Sequence, residues 1–382
     1  MKYYIVTFGC QMNEADSERI AGFFENQGYK ACQKIEQADL VIVNMCSVRQ
    51  SAVDRVIGLK PKIKGKKSIL TGCMLKKDKA KLSKIFNEII DIKDIKAKPI
   101  HLSKFSISIP IMTGCNNFCS YCVVPYTRGR EKSRPAKNII KEINGYKEIW
   151  LLGQNVNSYK DIGFANLLKK IHKLKCKFWV RFTSSHPKYF SDDIIKQIKG
   201  KITPYLNLPV QSGDNTVLKK MNRPYTIKQY KEIIKKVRKQ IPDITISTDI
   251  IVGFPGETKA QFNNTAKLFE EIKFDMAYIN KYSPRAGTAA FKLKDNVSPQ
   301  EKKNRERILT EILKQTALEN NKKHINKIEE VLVNDYKKGY CIGKSYHYKT
   351  VKFKGKKSYI GKFVKVKITD ALSWGLKGKY AK

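Results

Sequence analysis

The stretch TGCNNFCSYC, Thr113 to Cys122, sets Cys115, Cys119 and Cys122 within eight positions, directly after the apolar run Ser106–Thr113. Thiols spaced this closely let one loop wrap a compact metal centre. Zinc would want a fourth Cys or His, and the nearest candidates, Cys176 and His186, fall in other predicted units. An iron–sulfur cubane has four irons, so three thiolates leave one iron open to a small molecule. A structural zinc loop and three incidental buried thiols are the plainer alternatives.

Outward from this loop, strand and helix patterns alternate. Strands are predicted at Ser106–Thr113, Glu148–Gly153, Phe178–Ser184, Tyr205–Val210, Ile244–Val252 and Met276–Tyr282, each followed by helical sequence, the last being the charged run Pro299–Asn321. Six such units predict a partial (β/α) barrel with its chemistry at the strand carboxyl ends. There stand Gly153, Gln154 and Asn155, then Ser184, Gln211 and Asp249. All six are candidates for holding a cofactor, against a plain reading as turn and capping residues.

Before the barrel, Tyr3–Phe8, Asp39–Asn44 and Ser68–Thr71 read as strands and Ala15–Gln27 as a helix, predicting an open parallel α/β domain. Cys10, Cys46 and Cys73 follow these strands, and parallel strands share one carboxyl edge, so the three are expected to form one site. Residues 97–105 lack periodicity and read as a linker. From about Lys327 short alternating strands with intervening glycines predict a small β-barrel. Its last 52 residues carry 14 Lys and two Asp, interleaved with Tyr336, Phe353, Trp374 and other aromatics, a pairing that suits phosphates and stacked bases of RNA. A Lys-rich edge protected against aggregation is the bland alternative.

The chain has 382 residues, 41% hydrophobic and 29% charged, which favours two or three folded domains and excludes wholesale disorder. No apolar run approaches the roughly 20 residues of a membrane span. The start MKYYIVTFGCQMNEADSER is unlike a secretory leader, so a cytoplasmic location is expected, where nine cysteines point to metal ligation rather than disulfides. A net charge of +42 implies a polyanionic partner, although only 12 of the 76 basic residues are Arg and Lys-rich composition alone would spread such charge.

The spacing of Cys115, Cys119 and Cys122 after the first barrel strand resembles the radical S-adenosylmethionine (SAM) superfamily. GCQMNEADSER, NMCSVR and TGC around Cys10, Cys46 and Cys73, then GCNNFCSYCVVPYTRGREKSRP, LLGQNVNSY, LPVQSGDNTVLKKMNR and TDIIVGFPGET, resemble its methylthiotransferase family over nearly the whole chain. The tail resembles the RNA-binding TRAM module. The resemblance implies three domains, at 1–96, 105–323 and 327–382, and two [4Fe-4S] clusters. Cys115, Cys119 and Cys122 would hold the cluster that chelates and reductively cleaves SAM to a 5′-deoxyadenosyl radical. Cys10, Cys46 and Cys73 would hold the cluster that carries the methylthio unit. That division suits carbon 2 of adenine, whose C–H bond no side-chain base usefully deprotonates.

GCQMN and CSYCVVPYTRGREKSR resemble the branch acting on N6-isopentenyladenosine beside the tRNA anticodon. Branches acting on threonylcarbamoyl-adenosine or on a ribosomal protein usually carry GCKVN or GCPKN. The implied partners are the tRNA anticodon stem-loop and an external one-electron reductant, with no membrane. A non-catalytic iron–sulfur RNA-binding protein is the alternative from another class. Arg128, Arg130 and Arg134 are placed to steer phosphates or pair with the cofactor carboxylate, unless they form a plain solvated run. VGFPGET lacks the Lys-Ser/Thr of a P-loop. Cys32, Cys176 and Cys341 read as core or incidental thiols, and His186 has no assigned role.

Overall fold

The structure is a computed structural model that describes residues 1–48 and 50–381; Arg49, the last residue of NMCSVR, and Lys382 of the tail lie outside these. The chain falls into two compact units.

The first unit comprises residues 1–134, 152–154 and 283–293. Its centre is a five-stranded sheet, with β1 (Lys2–Phe8), β2 (Lys30–Ala31), β3 (Leu40–Cys46), β4 (Lys67–Cys73) and β5 (Glu88–Ile89) in the order β2-β1-β3-β4-β5. All pairings are parallel. Every residue of β3 is buried, as expected of a parallel strand covered on both faces. Val41, Val43, Met45 and Leu70 pack with Val53, Val56 and Phe86 on one face, whereas Leu40, Ile42 and Ile69 pack with Ile20 and Phe24 on the other. The two-residue strands β2 and β5 are edges too short to carry a periodic signal. Next come β6 (Ser106–Pro110), β7 (Met112–Thr113) and β8 (Lys132–Ser133). The single strand expected at Ser106–Thr113 is thus two. Pro110, which has no N–H to donate, ends β6, and β7 turns to pair antiparallel with β8.

The second unit comprises residues 135–151, 155–282 and 294–382. Four strands, β10 (Trp179–Phe182), β11 (Tyr205–Asn207), β12 (Thr245–Val252) and β13 (Met276–Lys281), follow β9 (Glu148–Leu152). Parallel pairing joins β9 to β10, β11 to β12 and β12 to β13. The helix Pro299–Lys322 opens with Pro at its first position and with the Ser298 side chain accepting from the Glu301 N–H, an N-cap that fixes where the helix begins.

The tail forms a closed five-stranded barrel of β14 (Ile328–Lys337), β15 (Tyr340–Ser345), β16 (Thr350–Lys354), β17 (Phe363–Leu372) and β18 (Gly375–Ala381), in the order β14-β15-β16-β18-β17. Val331, Val333, Cys341, Phe353, Val366 and Ile368 fill it. The period of two sends Lys365 and Lys367 outward from β17. No helix among the described residues is long and apolar enough to cross a membrane.

Candidate active site with two cysteine trios in one unit

Strand register brings the first trio together. Cys46 and Cys73 end β3 and β4 as direct partners, and Phe8 is level with Met45, so Cys10 lies just beyond the same sheet edge. Cys10 is exposed and the other two are buried. The helix α1 (Gln11–Glu25) begins immediately after Cys10 and turns Asn13, Asp16 and Ser17 inward.

Asn13 organises this edge. Its Oδ1 accepts from the Cys10 Sγ at 3.4 Å, and its Nδ2 lies 3.8 Å from the Cys73 Sγ and 3.1 Å from the Asn44 Oδ1. Asn44 Nδ2 donates in turn to the Asn13 carbonyl at 2.7 Å and to Ser17 Oγ at 2.9 Å. Gly9 is required here, because a Cβ at that position would sit 2.2 Å from Asn13 Oδ1.

The second trio occupies the loop closed by β7 and β8. Cys115 N–H donates to the Gly129 carbonyl at 3.1 Å, and Cys122 N–H to the Cys119 carbonyl at 2.9 Å, so the loop doubles back on itself. Gly114, at φ +80°, lies so close to Arg130 that a Cβ would stand 2.1 Å from its carbonyl oxygen; that approach and the left-handed backbone both call for glycine. Its N–H donates to Gln154 Oε1 at 2.7 Å. All three thiols are partly buried, and Ala290 N–H donates to the Ser120 carbonyl at 2.7 Å, fastening residues 283–293 to the loop.

Arg128, six residues beyond Cys122, links the trios. Its Nη2 donates to Asp16 Oδ2 at 2.7 Å, with both side chains under a tenth exposed. Burial alone would lower its pKa, but the charges of Cys73 and Asp16 hold the guanidinium protonated, above its ordinary range. At the first trio the hydrogen bond from Cys73 makes the Cys46 thiol the easier of the two to ionise. In the second, burial pushes the Cys115 thiol up. Three sulfurs at one sheet edge, a buried guanidinium and two buried Asn amides suit an anionic iron–sulfur core held by thiolates.

The other two arginines have different partners. Arg130 lies over the Phe118 ring at 4.4 Å, and Arg134 Nη1 donates to the Pro110 carbonyl at 2.7 Å. Arg128 and Arg134 are thus held by internal partners, whereas Arg130 is exposed, as in a solvated run. Arg285, not singled out in the sequence, pairs with Asp78 at 2.9 Å inside the same unit.

In the second unit Asn207 draws two predicted residues together. Its Oδ1 accepts from the Ser184 N–H at 3.0 Å and its Nδ2 donates to Asp249 Oδ2 at 3.1 Å. Gln211 N–H donates to the Asp249 carbonyl at 2.8 Å. Ser184 and Gln211 both sit at positive φ, 62° and 70°, which aims backbone rather than extending a strand. Asn155 is buried, and its carbonyl accepts from the Ser158 N–H and Oγ. Gly153 stands with Gln154 in the first unit. His186 is buried, its N–H and carbonyl both bonded to the Asn157 side chain. Cys341 lies in the tail barrel core, Cys32 donates to the Tyr3 carbonyl, and Cys176 is exposed.

Three family models match the chain: the Uncharacterized protein family UPF0004 over residues 2–92, the Radical SAM superfamily over 109–269, and the TRAM domain over 322–381. A tRNA-2-methylthio-N(6)-dimethylallyladenosine synthase from Thermoanaerobacter pseudethanolicus is 41% identical over 433 residues, covering 99% of this chain and 92% of the relative. A synthase of the same name from Clostridium tetani is 40% identical, covering 99% and 96%. Among solved structures, the radical SAM methyltransferase TsrM from Kitasatospora setae shares the fold, with a TM-score of 0.57 at 13% identity over 76% of this chain and 77% of that one. By identity of 40–41% over 99% of its length, the chain belongs to the tRNA-2-methylthio-N(6)-dimethylallyladenosine synthase family of radical SAM enzymes.

Proposed function

We propose that this protein places a methylthio group on C2 of N6-dimethylallyladenosine next to the anticodon of tRNA, in the cytoplasm, with an external one-electron donor. One observation carries the reading: two cysteine trios stand in a single compact unit, joined through Arg128 and Asp16, in a chain 41% identical over its length to such a synthase. Cys115, Cys119 and Cys122 are assigned to the [4Fe-4S] cluster that binds SAM, and Cys10, Cys46 and Cys73 to the second cluster. When bound, these groups supply the electron, the radical precursor and the sulfur that side chains cannot.

The chain's own residues do the rest. Asn13 and Asn44 fix the sulfur geometry of the first trio, and Arg128 offsets the negative charge that accumulates there. Gln154 braces the Gly114 turn from which the second trio projects. Asn207 fixes Ser184, just past β10, and Asp249, within β12; with Gly153, Asn155 and Gln211 they are assigned to the polar parts of SAM. The division at 1–96, 105–323 and 327–382 is proposed as sulfur-donor domain, SAM domain and RNA-binding domain, the last supported by outward lysines on the tail barrel.

The test is mass spectrometry of tRNA nucleosides from cells with and without the gene. The methylthio derivative of dimethylallyladenosine is expected to vanish without it and return on complementation. Its persistence in the deleted strain, or a missing derivative on threonylcarbamoyl-adenosine instead, overturns the assignment.

A further inference from the structure

Away from the cysteines, the second unit holds a cavity of about 1020 Å³ at the amino ends of β10 and β12, walled by Trp179 and Thr245 among others. Ser184 lies beyond the opposite, carboxyl end of β10. Three of its lining residues, His324, Glu329 and His347, bring one nitrogen or oxygen each to within 4.8 Å of one another. They come from three places: His324 lies two residues past the helix Pro299–Lys322, Glu329 is in β14, and His347 is in the turn between β15 and β16. Nothing in the proposed radical chemistry uses them.

We propose that His324, Glu329 and His347 form a binding site for one divalent transition-metal ion of the zinc class, with cavity water completing its coordination. Two imidazoles and a carboxylate are the donor set that Zn²⁺ takes when it keeps an open position. The spacing fits. A nitrogen and an oxygen each about 2.0–2.2 Å from one ion and at about 90–110° to it lie about 3.0–3.5 Å apart. His347 Nδ1 stands 3.3 Å from Glu329 Oε2 and His324 Nδ1 stands 2.7 Å from Oε1. The first separation lies in that range, and the second has to open by about 0.3 Å as coordination replaces a hydrogen bond. Each oxygen of the one carboxylate thus faces a different imidazole.

Burial separates this cluster from a surface group of chance neighbours: His324 and Glu329 are 7% and 5% exposed. Of the cationic side chains that line the cavity, Lys349 pairs with Asp275, Lys177 with Glu330 and Lys273 with Glu319, while Lys175, Lys201, Arg238, Lys323 and Lys327 line it as well. A bound ion would tie the end of the long helix to both the first strand of the tail barrel and its β15–β16 turn, fixing the connection at residues 323–327.

The experiment uses the full chain with its clusters loaded under anaerobic conditions, dialysed against Zn²⁺ and then against buffer. Expected is one zinc per chain, with an X-ray absorption spectrum at the zinc edge showing only nitrogen and oxygen at about 2.0–2.1 Å. Glu329→Gln and His347→Gln are each expected to weaken binding at least about tenfold, with iron content and circular dichroism unchanged. Zinc held by sulfur at about 2.3 Å, zinc kept by both variants, or none kept by the parent chain overturns the proposal.

Discussion

Arg128 Nη2 donates to Asp16 Oδ2 at 2.7 Å across 112 residues of sequence, joining the segment after the Cys115–Cys122 loop to the helix after Cys10. The pair is buried, so water screens it little, and the sulfurs of Cys73 and Cys10 feel the same guanidinium. One cation therefore serves the first trio while being anchored beside the second.

Arg128→Gln removes that charge without removing hydrogen-bonding capacity toward Asp16. A reduced cluster carries one more negative charge than an oxidised one, so losing a nearby cation disfavours reduction. The midpoint potential of the cluster on Cys10, Cys46 and Cys73 is expected to fall by on the order of 50–100 mV, about 1–2 kcal/mol. Redox titration followed by electron paramagnetic resonance measures this; an unmoved potential refutes the role given to Arg128.

Arg181 is wholly buried and donates to Glu148 at 3.0 Å, to Thr203 Oγ1 at 2.8 Å, and to the carbonyls of Ser345 and Tyr346. It clamps β9 and β10 to the turn of the tail barrel. Arg181→Met takes the guanidinium away from the buried Glu148 carboxylate, Thr203 and two carbonyls together, and is expected to cost about 3–5 kcal/mol. Urea unfolding read by tryptophan fluorescence checks the value. A loss under about 1 kcal/mol would mean the clamp is replaced by water or by another cation.

His186 has its pKa lowered to about 2, first by burial and then by the Arg223 and Lys188 charges. In the unfolded chain it takes up a proton near its ordinary value of about 6.5, so below that pH the unfolded state binds more protons than the folded one. Stability is full above about pH 6.5 and falls with acid by up to about 1.4 kcal/mol per pH unit. His186→Gln is expected to flatten this dependence between about pH 6.5 and 5 in cluster-free protein. Equal slopes for parent and variant would contradict it.

The cysteines and the strands that carry them were legible because each lies where an apolar run ends, and parallel topology turns run ends into one edge. The tail barrel was legible from alternation such as FVKVKIT. The polar residues that bind the trios into a site were not. Asn13, Asp16 and Ser17 fall at helical spacing on the face of α1 that turns inward, where a hydropathy reading expects apolar side chains and takes the polar stripe for solvent. Asn44 and Asn207 each sit near the end of an otherwise apolar strand, a signal available in LVIVNMC and YLN. Arg285 offers none, since only the fold brings it to Asp78. The break at Pro110 was available from the proline, which a continuous strand from Ser106 to Thr113 overlooks.

The central claim, two separate sulfur-ligated clusters in one unit, is tested most directly by counting iron and acid-labile sulfide in anaerobically reconstituted protein. The parent chain is expected to hold about eight of each, at about four per cluster. The variant with Cys115, Cys119 and Cys122 all changed to Ala is expected to keep about four, and so is the variant with Cys10, Cys46 and Cys73 changed to Ala. A parent holding only about four, or either triple variant holding as much as the parent, contradicts the account.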